Sequence, residues 1–152
     1  MQTDNLGNMS KVLFVCTGNI CRSPMAEGLL KKMHGDFSVS SAGVSALYNR
    51  GASPEALKVM QEYGVDISSH ISRQIDGDMV DDADLVLTME RHQEEFLKRM
   101  DPEAEGKIFN LKDYAGTYGD IEDPYGESIE FYQGVAREID GALKMAKFDG
   151  LK

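Results

Sequence analysis

Apolar and polar residues alternate with two different periods along this chain, and the points where the period changes separate strands from helices. Lys11-Val12-Leu13-Phe14-Val15 is a short apolar run rich in β-formers, bounded by Gly18, and predicts a buried strand. Ser23-Pro24 then starts a helix, with proline acceptable in the first turn, and Met25 to Met33 continues it. Phe37-Ser38-Val39-Ser40-Ser41 alternates like a second strand and stops at Ala42-Gly43. Ser53-Pro54-Glu55 opens a helix that runs to Gly64, and Asp78 to Asp82 forms a short helical piece. Leu85-Val86-Leu87-Thr88-Met89 predicts a third strand, and Glu90 to Met100 an amphipathic helix ended by Asp101-Pro102. A fourth strand, Lys107-Ile108-Phe109-Asn110-Leu111, leads into a long loop from Lys112 to Gly126. The last helix, from Ser128 to about Phe148, carries Ile129, Tyr132, Val135, Ile139 and Leu143 on one stripe.

Strands alternating with helices predict the α/β class, as one domain with a parallel sheet covered on both faces. In such sheets ligands bind beyond the carboxyl ends of the strands. Cys16 closes the first strand there, the Tyr48 loop follows the second, and Asp123 lies in the loop after the fourth. The topology therefore brings residues far apart in sequence to one rim.

The length of 152 residues suits a single domain. It is read here as residues 11–150 behind a flexible leader, residues 1–10, that lacks the basic and apolar regions of a signal peptide. No apolar run approaches the roughly 20 residues needed to cross a bilayer. The expected location is the cytoplasm, with no membrane partner. A formal charge of −10 argues against a nucleic-acid partner, which calls for a basic face. A phosphate site on this chain must therefore build its own local positive field. The two cysteines, Cys16 and Cys21, are too close to staple distant elements and too few for a four-cysteine zinc site. They are either inert core thiols or reactive ones, and their neighbours decide between these.

Cys16-Thr17-Gly18-Asn19-Ile20-Cys21-Arg22-Ser23 places a cysteine, five residues and an arginine between a strand and a helix. A turn of this kind points successive backbone N–H groups inward, and the following helix adds its positive end. Arg22 can grip two phosphate oxygens with its planar fork. The same field stabilises the thiolate of Cys16. Gly18 is expected to allow a backbone angle or a close approach that a side chain would forbid. Ser23 can give its hydroxyl to the sulfur, helping both the anion and its later departure. The alternative is a buried cysteine at a strand end beside a solvent-facing arginine. The apolar strand, glycine turn and Ser-Pro helix start all favour the phosphate loop.

The stretch Val12 to Glu27, with Cys16 to Ser23 at its centre, resembles the signature of the low-molecular-weight protein tyrosine phosphatases, in their bacterial form. The resemblance runs from Lys11 to about Lys147, through Ser41-Ala42-Gly43, Ser69-His70-Ile71-Ser72-Arg73 and Asp123-Pro124-Tyr125. It implies a three-layer, flavodoxin-like sandwich with strand order 2-1-3-4. It also implies that Cys16 is the nucleophile, Arg22 the phosphate clamp and Asp123 the general acid and base. Asp120 and Glu122 are near decoys that spacing alone does not separate from Asp123. By the same resemblance Tyr48 and Tyr125 are aromatic walls of the substrate pocket, and Asn19, Ser41 and His70 support the loop. Cys21 would capture an oxidised Cys16 in a protective disulfide, against the plainer reading of a small residue filling the loop's base. His34 and His92 fall on helices with nothing to recommend them.

The implied reaction is hydrolysis of a phosphorylated protein or peptide, releasing inorganic phosphate, with no metal or cofactor. Arsenate reductases of the same fold need further redox cysteines, and no cysteine follows Cys21. A non-catalytic phosphate- or phosphopeptide-binding module would use the loop but has no need of Cys16 or Asp123. Between substrates the signals divide. Members acting on phosphoarginine tend to carry threonine where this chain has Ile20, and isoleucine offers apolar contact better suited to a phenyl ring. Ser41-Ala42-Gly43-Val44 and Asp123-Pro124-Tyr125-Gly126-Glu127-Ser128 instead resemble the protein arginine phosphatase subgroup. Phosphotyrosine is the preferred expectation and phosphoarginine the alternative.

Overall fold

Every apolar run predicted as a strand joins one sheet. A computed structural model, which describes residues 10–149, arranges four parallel strands in the order β2-β1-β3-β4. They are β1 (Lys11–Cys16), β2 (Ser38–Gly43), β3 (Leu85–Thr88) and β4 (Ile108–Asn110). The helices are α1 (Arg22–Met33), α2 (Pro54–Glu62), α3 (Gly77–Asp82), α4 (Arg91–Met100), α5 (Leu111–Tyr114) and α6 (Ile129–Met145). A 3₁₀ turn, Pro102–Lys107, joins α4 to β4.

Successive β1 side chains enter two different cores, which is why the strand reads as an unbroken apolar run. Val12 and Phe14 pack with Met25, Leu29, Met60 and Ile139 under α1, α2 and α6. Leu13 and Val15 pack with Val80, Val86, Leu97 and Ile108 under α3 and α4. The result is a helix–sheet–helix sandwich. Truncating a fully buried side chain such as Phe14 to alanine costs about 3–5 kcal/mol.

Capping residues fix where the helices begin. The Ser53 hydroxyl accepts from Ala56 N–H ahead of Pro54, Asp76 accepts from Met79 N–H, and Ser128 from Phe131 N–H. Among the boundaries that differ from the sequence pattern, two have a clear cause. Leu111 is helical, because the Asn110 side chain accepts from Lys112 N–H and turns the chain immediately after β4. The last helix stops at Met145, where Ala146 is extended, and Phe148 folds back to meet the Phe37 ring at 5.8 Å.

Ser10, assigned to the leader by pattern, is buried and its carbonyl accepts from Ser38 N–H at 2.7 Å. The rest of the leader lies outside the described residues. Among those described, no helix is long and apolar enough to cross a membrane.

The register pairs Cys16 with Gly43 on β2, and Val15 with Thr88 on β3. The carboxyl ends of three strands thus stand level around the loop that leaves β1.

Candidate active site

The loop from Cys16 to Arg22 folds around Asn19, which sits in the left-handed region at φ 61°. Asparagine tolerates that conformation better than most residues with a Cβ, and its side chain here is fully buried. Its Nδ2 donates to Ser23 Oγ at 2.8 Å and to Ser41 Oγ at 3.1 Å. Its Oδ1 accepts from Arg73 N–H at 2.9 Å. The Asn19 carbonyl lies 2.6 Å from His70 Nε2, so that ring nitrogen must carry the hydrogen. Asn19, Ser41 and His70 are thereby gathered behind the loop, and Glu27 holds Ser41 by accepting from its hydroxyl at 2.7 Å.

Ser23 Oγ also lies 2.9 Å from Cys16 Sγ. Since that oxygen already accepts from Asn19, its own hydrogen is free to point at the sulfur. The glycine expectation is corrected. Gly18 has no positive φ, and a Cβ there would meet only the Leu47 side chain at 3.7 Å, an ordinary contact. The obligatory glycine is Gly43, where a Cβ would stand 2.4 Å from the Thr17 carbonyl oxygen. The end of β2 passes so close to the loop that no side chain fits between them.

Arg22 is 1% exposed, and a buried guanidinium must be paired. Its Nη1 donates to the Glu90 carboxylate and to the Ile121 carbonyl, and its Nη2 lies 3.7 Å from Asp123 Oδ2. Asp123 is half-exposed, with Oδ1 accepting from Tyr125 N–H at 3.1 Å. The decoys are separated by their partners. Asp120 accepts from Arg91 N–H and Asn110 Nδ2 at 2.9 and 3.2 Å, a structural role, and Glu122 lines a different groove beside α6. Cys16, Arg22 and Asp123 face one cavity of about 180 Å³.

The chain matches the family model for low molecular weight phosphotyrosine protein phosphatase over residues 11–147. It belongs to that family. The low molecular weight protein-tyrosine-phosphatase Wzb of Escherichia coli (strain K12) is 41% identical over 126 residues, 83% of this chain and 85% of Wzb. The protein-arginine-phosphatase of Bacillus subtilis (strain 168) is 36% identical over 138 residues, 88% of this chain and 91% of that protein. The crystal structure of the low molecular weight protein tyrosine phosphatase from T. tengcongensis is similar at a TM-score of 0.85 and 44% identity, covering 90% of this chain and 96% of that one. This chain is accordingly a cysteine-dependent phosphatase.

The walls of this phosphatase's pocket are Ile20, Leu47 and Tyr125. Tyr48, expected as a wall, is 92% exposed and does not line the cavity. Leu47 takes that place, because its N–H donates to the Gly18 carbonyl at 3.1 Å and draws it over the loop. Asn49, left-handed at φ 52°, then turns the chain away.

Cys21 is buried at the loop's base, its Sγ 3.2 Å from Tyr132 Oη and 3.5 Å from Ser53 Oγ. Burial pushes both the Cys21 thiol and the Tyr132 hydroxyl up from their ordinary values, so both hold their protons at neutral pH.

Two site residues carry no motif in the sequence: Glu90, which holds Arg22 and lies 2.9 Å from His92 Nε2, and Gln93, which reaches Thr17. An acidic residue directly after the apolar run of β3, at the carboxyl end of the sheet, was the available signal for Glu90.

Proposed function

We propose that this phosphatase hydrolyses phosphotyrosine in proteins through a phosphocysteine intermediate. The observation that carries the reading is one small cavity bounded by Cys16, with the Ser23 hydroxyl behind its sulfur, the Arg22 fork and Asp123, with apolar walls at Ile20 and Leu47. The Cys16 thiolate attacks phosphorus as the bond to the tyrosyl oxygen breaks. Protonated Asp123 gives its proton to that departing oxygen. The loop N–H groups from Thr17 to Ser23 and the Arg22 fork hold the equatorial oxygens. Asp123, now a carboxylate, takes a proton from water as the water attacks phosphorus. The S–P bond breaks, the Ser23 hydroxyl stabilises the leaving thiolate, and inorganic phosphate departs. The 3.7 Å separation of Asp123 from Arg22 leaves the acid beside the clamp without a tight ion pair.

The walls support the choice of substrate. A phosphoguanidinium keeps N–H groups that need acceptors, and Ile20 and Leu47 provide none. A phenyl ring asks only for apolar contact, which these two and Tyr125 supply. Phosphoarginine is the second reading, favoured by the likeness to the B. subtilis protein-arginine-phosphatase. Steady-state kinetics on matched phosphotyrosine and phosphoarginine peptides separate the two, with wild type and Ile20→Thr. The tyrosine reading expects the wild type to prefer phosphotyrosine and Ile20→Thr to move the preference toward phosphoarginine. A wild type that prefers phosphoarginine by more than about tenfold, or 1.4 kcal/mol, overturns it.

The loop cysteines are read as a redox pair. Peroxide converts the Cys16 thiolate to a sulfenic acid, releasing hydroxide, and the Cys21 thiol then condenses with it, its proton leaving with the sulfenic hydroxyl as water while the disulfide forms. Trapping the oxidised protein and mapping its disulfide tests this. Irreversible loss of activity with no Cys16–Cys21 bond is the opposing result.

A further inference from the structure

One fully buried side chain outside the loop touches both halves of the phosphate site. Gln93, in the first turn of α4, uses Oε1 to accept from Met89 N–H at 3.0 Å and Glu90 N–H at 2.9 Å. Its Nε2 donates to Thr17 Oγ1 at 3.0 Å. The first two bonds fix the turn after β3, and that turn carries Glu90, the carboxylate that holds Arg22. The third reaches the residue next to the nucleophile. Thr17 is further tied to the opposite side, where its carbonyl accepts from Ser45 N–H at 2.9 Å. The amide can make these contacts in one orientation alone, since both backbone groups are donors and must face its oxygen. Its NH₂ group is therefore turned to Thr17.

We propose that Gln93 is a positioning residue that sets the distance between the two independent parts of the phosphate grip. One part is the ring of loop N–H groups, fixed to Gln93 through Thr17. The other is the Arg22 fork, fixed to it through the Glu90 turn. An oxyanion site works when its donors are arranged before the ligand arrives, and a small displacement of one set against the other weakens both. A glutamine has the two-ended chemistry this requires. Alanine and leucine lack both the acceptor and the donor, and an ionised acid lacks the donor.

The inference rests on the phosphatase reading, so its test uses binding of inorganic phosphate, measured by calorimetry on the intact protein, beside turnover of an aryl phosphate. Gln93→Ala and Thr17→Val are each expected to weaken phosphate binding by about three- to tenfold, the range for loss of a buried neutral hydrogen bond. Thr17→Ser keeps the hydroxyl and should restore binding to near the wild-type value. The double variant should bind no more weakly than the weaker single one, because both substitutions break the same link. KM for the aryl phosphate should rise in step with the phosphate dissociation constant. If Gln93→Ala does not fold, Thr17→Val against Thr17→Ser decides the matter, as neither touches the turn bonds. Fully additive losses, or a Thr17→Val protein that binds phosphate like wild type, overturn the proposal. A wild type that binds phosphate but turns over no aryl phosphate overturns the enzymatic reading instead and leaves the positioning test intact.

Discussion

Two concavities of this molecule invite comparison, and the larger is the chemically poorer. A groove of about 670 Å³ runs beside β2, lined by Lys11, Ser38, Arg73, Asp76 and Asp82 among others. The phosphate pocket has about 180 Å³. In the groove the charges cancel locally, as in the exposed Lys11–Asp82 pair at 2.9 Å, a kind of contact worth at most about 1 kcal/mol. In the pocket Arg22 and the neutral Asn19 are buried and restrained from behind, Arg22 by Glu90 and the Ile121 carbonyl, Asn19 by Ser41, Arg73 and His70. Arg73 contributes to both places, and it is its backbone and Nε, spent on Asn19 and Ser41, that serve the pocket. Convergence of buried polar groups, not volume, is what distinguishes the proposed reactive site.

Substitution can break that contrast most sharply at Cys16, the proposed nucleophile. Cys16→Ser should lower turnover by about 10⁴-fold or more while retaining phosphate binding, and Asp82→Ala in the groove should leave kcat/KM within about twofold of wild type. Comparable losses from both would void the comparison. Asp123→Asn should cost about 10²–10⁴ in kcat, more for aryl phosphates with poorer leaving groups. Asp120→Asn, measured alongside, should lower Tm rather than kcat. Gly43→Ala should reduce kcat/KM by more than about tenfold and cost about 1–3 kcal/mol of stability, read from urea titration, as overpacking displaces the loop. A protein unchanged in both would mean that β2 yields easily.

The smallest effect concerns alkaline pH. Cys21 and Tyr132 hold their protons longer in the folded protein than their ordinary values of 9.0 and 10.0. The unfolded chain releases those protons first, so stability is intact below about pH 9 and falls as pH rises beyond it. Tyr132→Phe should flatten part of that fall in urea midpoints taken from about pH 7 to about pH 10.5. An unchanged slope would indicate that other groups govern it.

Local patterning carried most of the fold. Residues 12–15 are apolar without interruption because both sheet faces are covered, and Ser53-Pro54 and Ser128 cap the helices they precede. The strand ending at Asn110 and the helix ending at Met145 were harder to read, since a side-chain turn and a returning Phe148 decide them. At the site, the residues bunched in one motif fall around one pocket, and Asp123, indicated by the resemblance through Asp-Pro-Tyr, lines it with them. Gln93 was hidden because it looks like an ordinary member of a charged helix, and its bond to Thr17, like that of Glu90 to Arg22, depends on side-chain packing that strand order alone does not give. Tyr48 and Leu47 are adjacent in sequence, and which of them faces the pocket depends on one backbone bond to Gly18.

The close passage of Gly43 against Thr17 makes an edge strand part of the mould in which the loop is cast. A slip of β2 by one residue would bring Ala42 or Val44 opposite Cys16, each with a Cβ where none fits. Turnover is then a readout of strand register. Mutations early in β2, remote from the loop, are expected to report misalignment of the sheet through lost turnover.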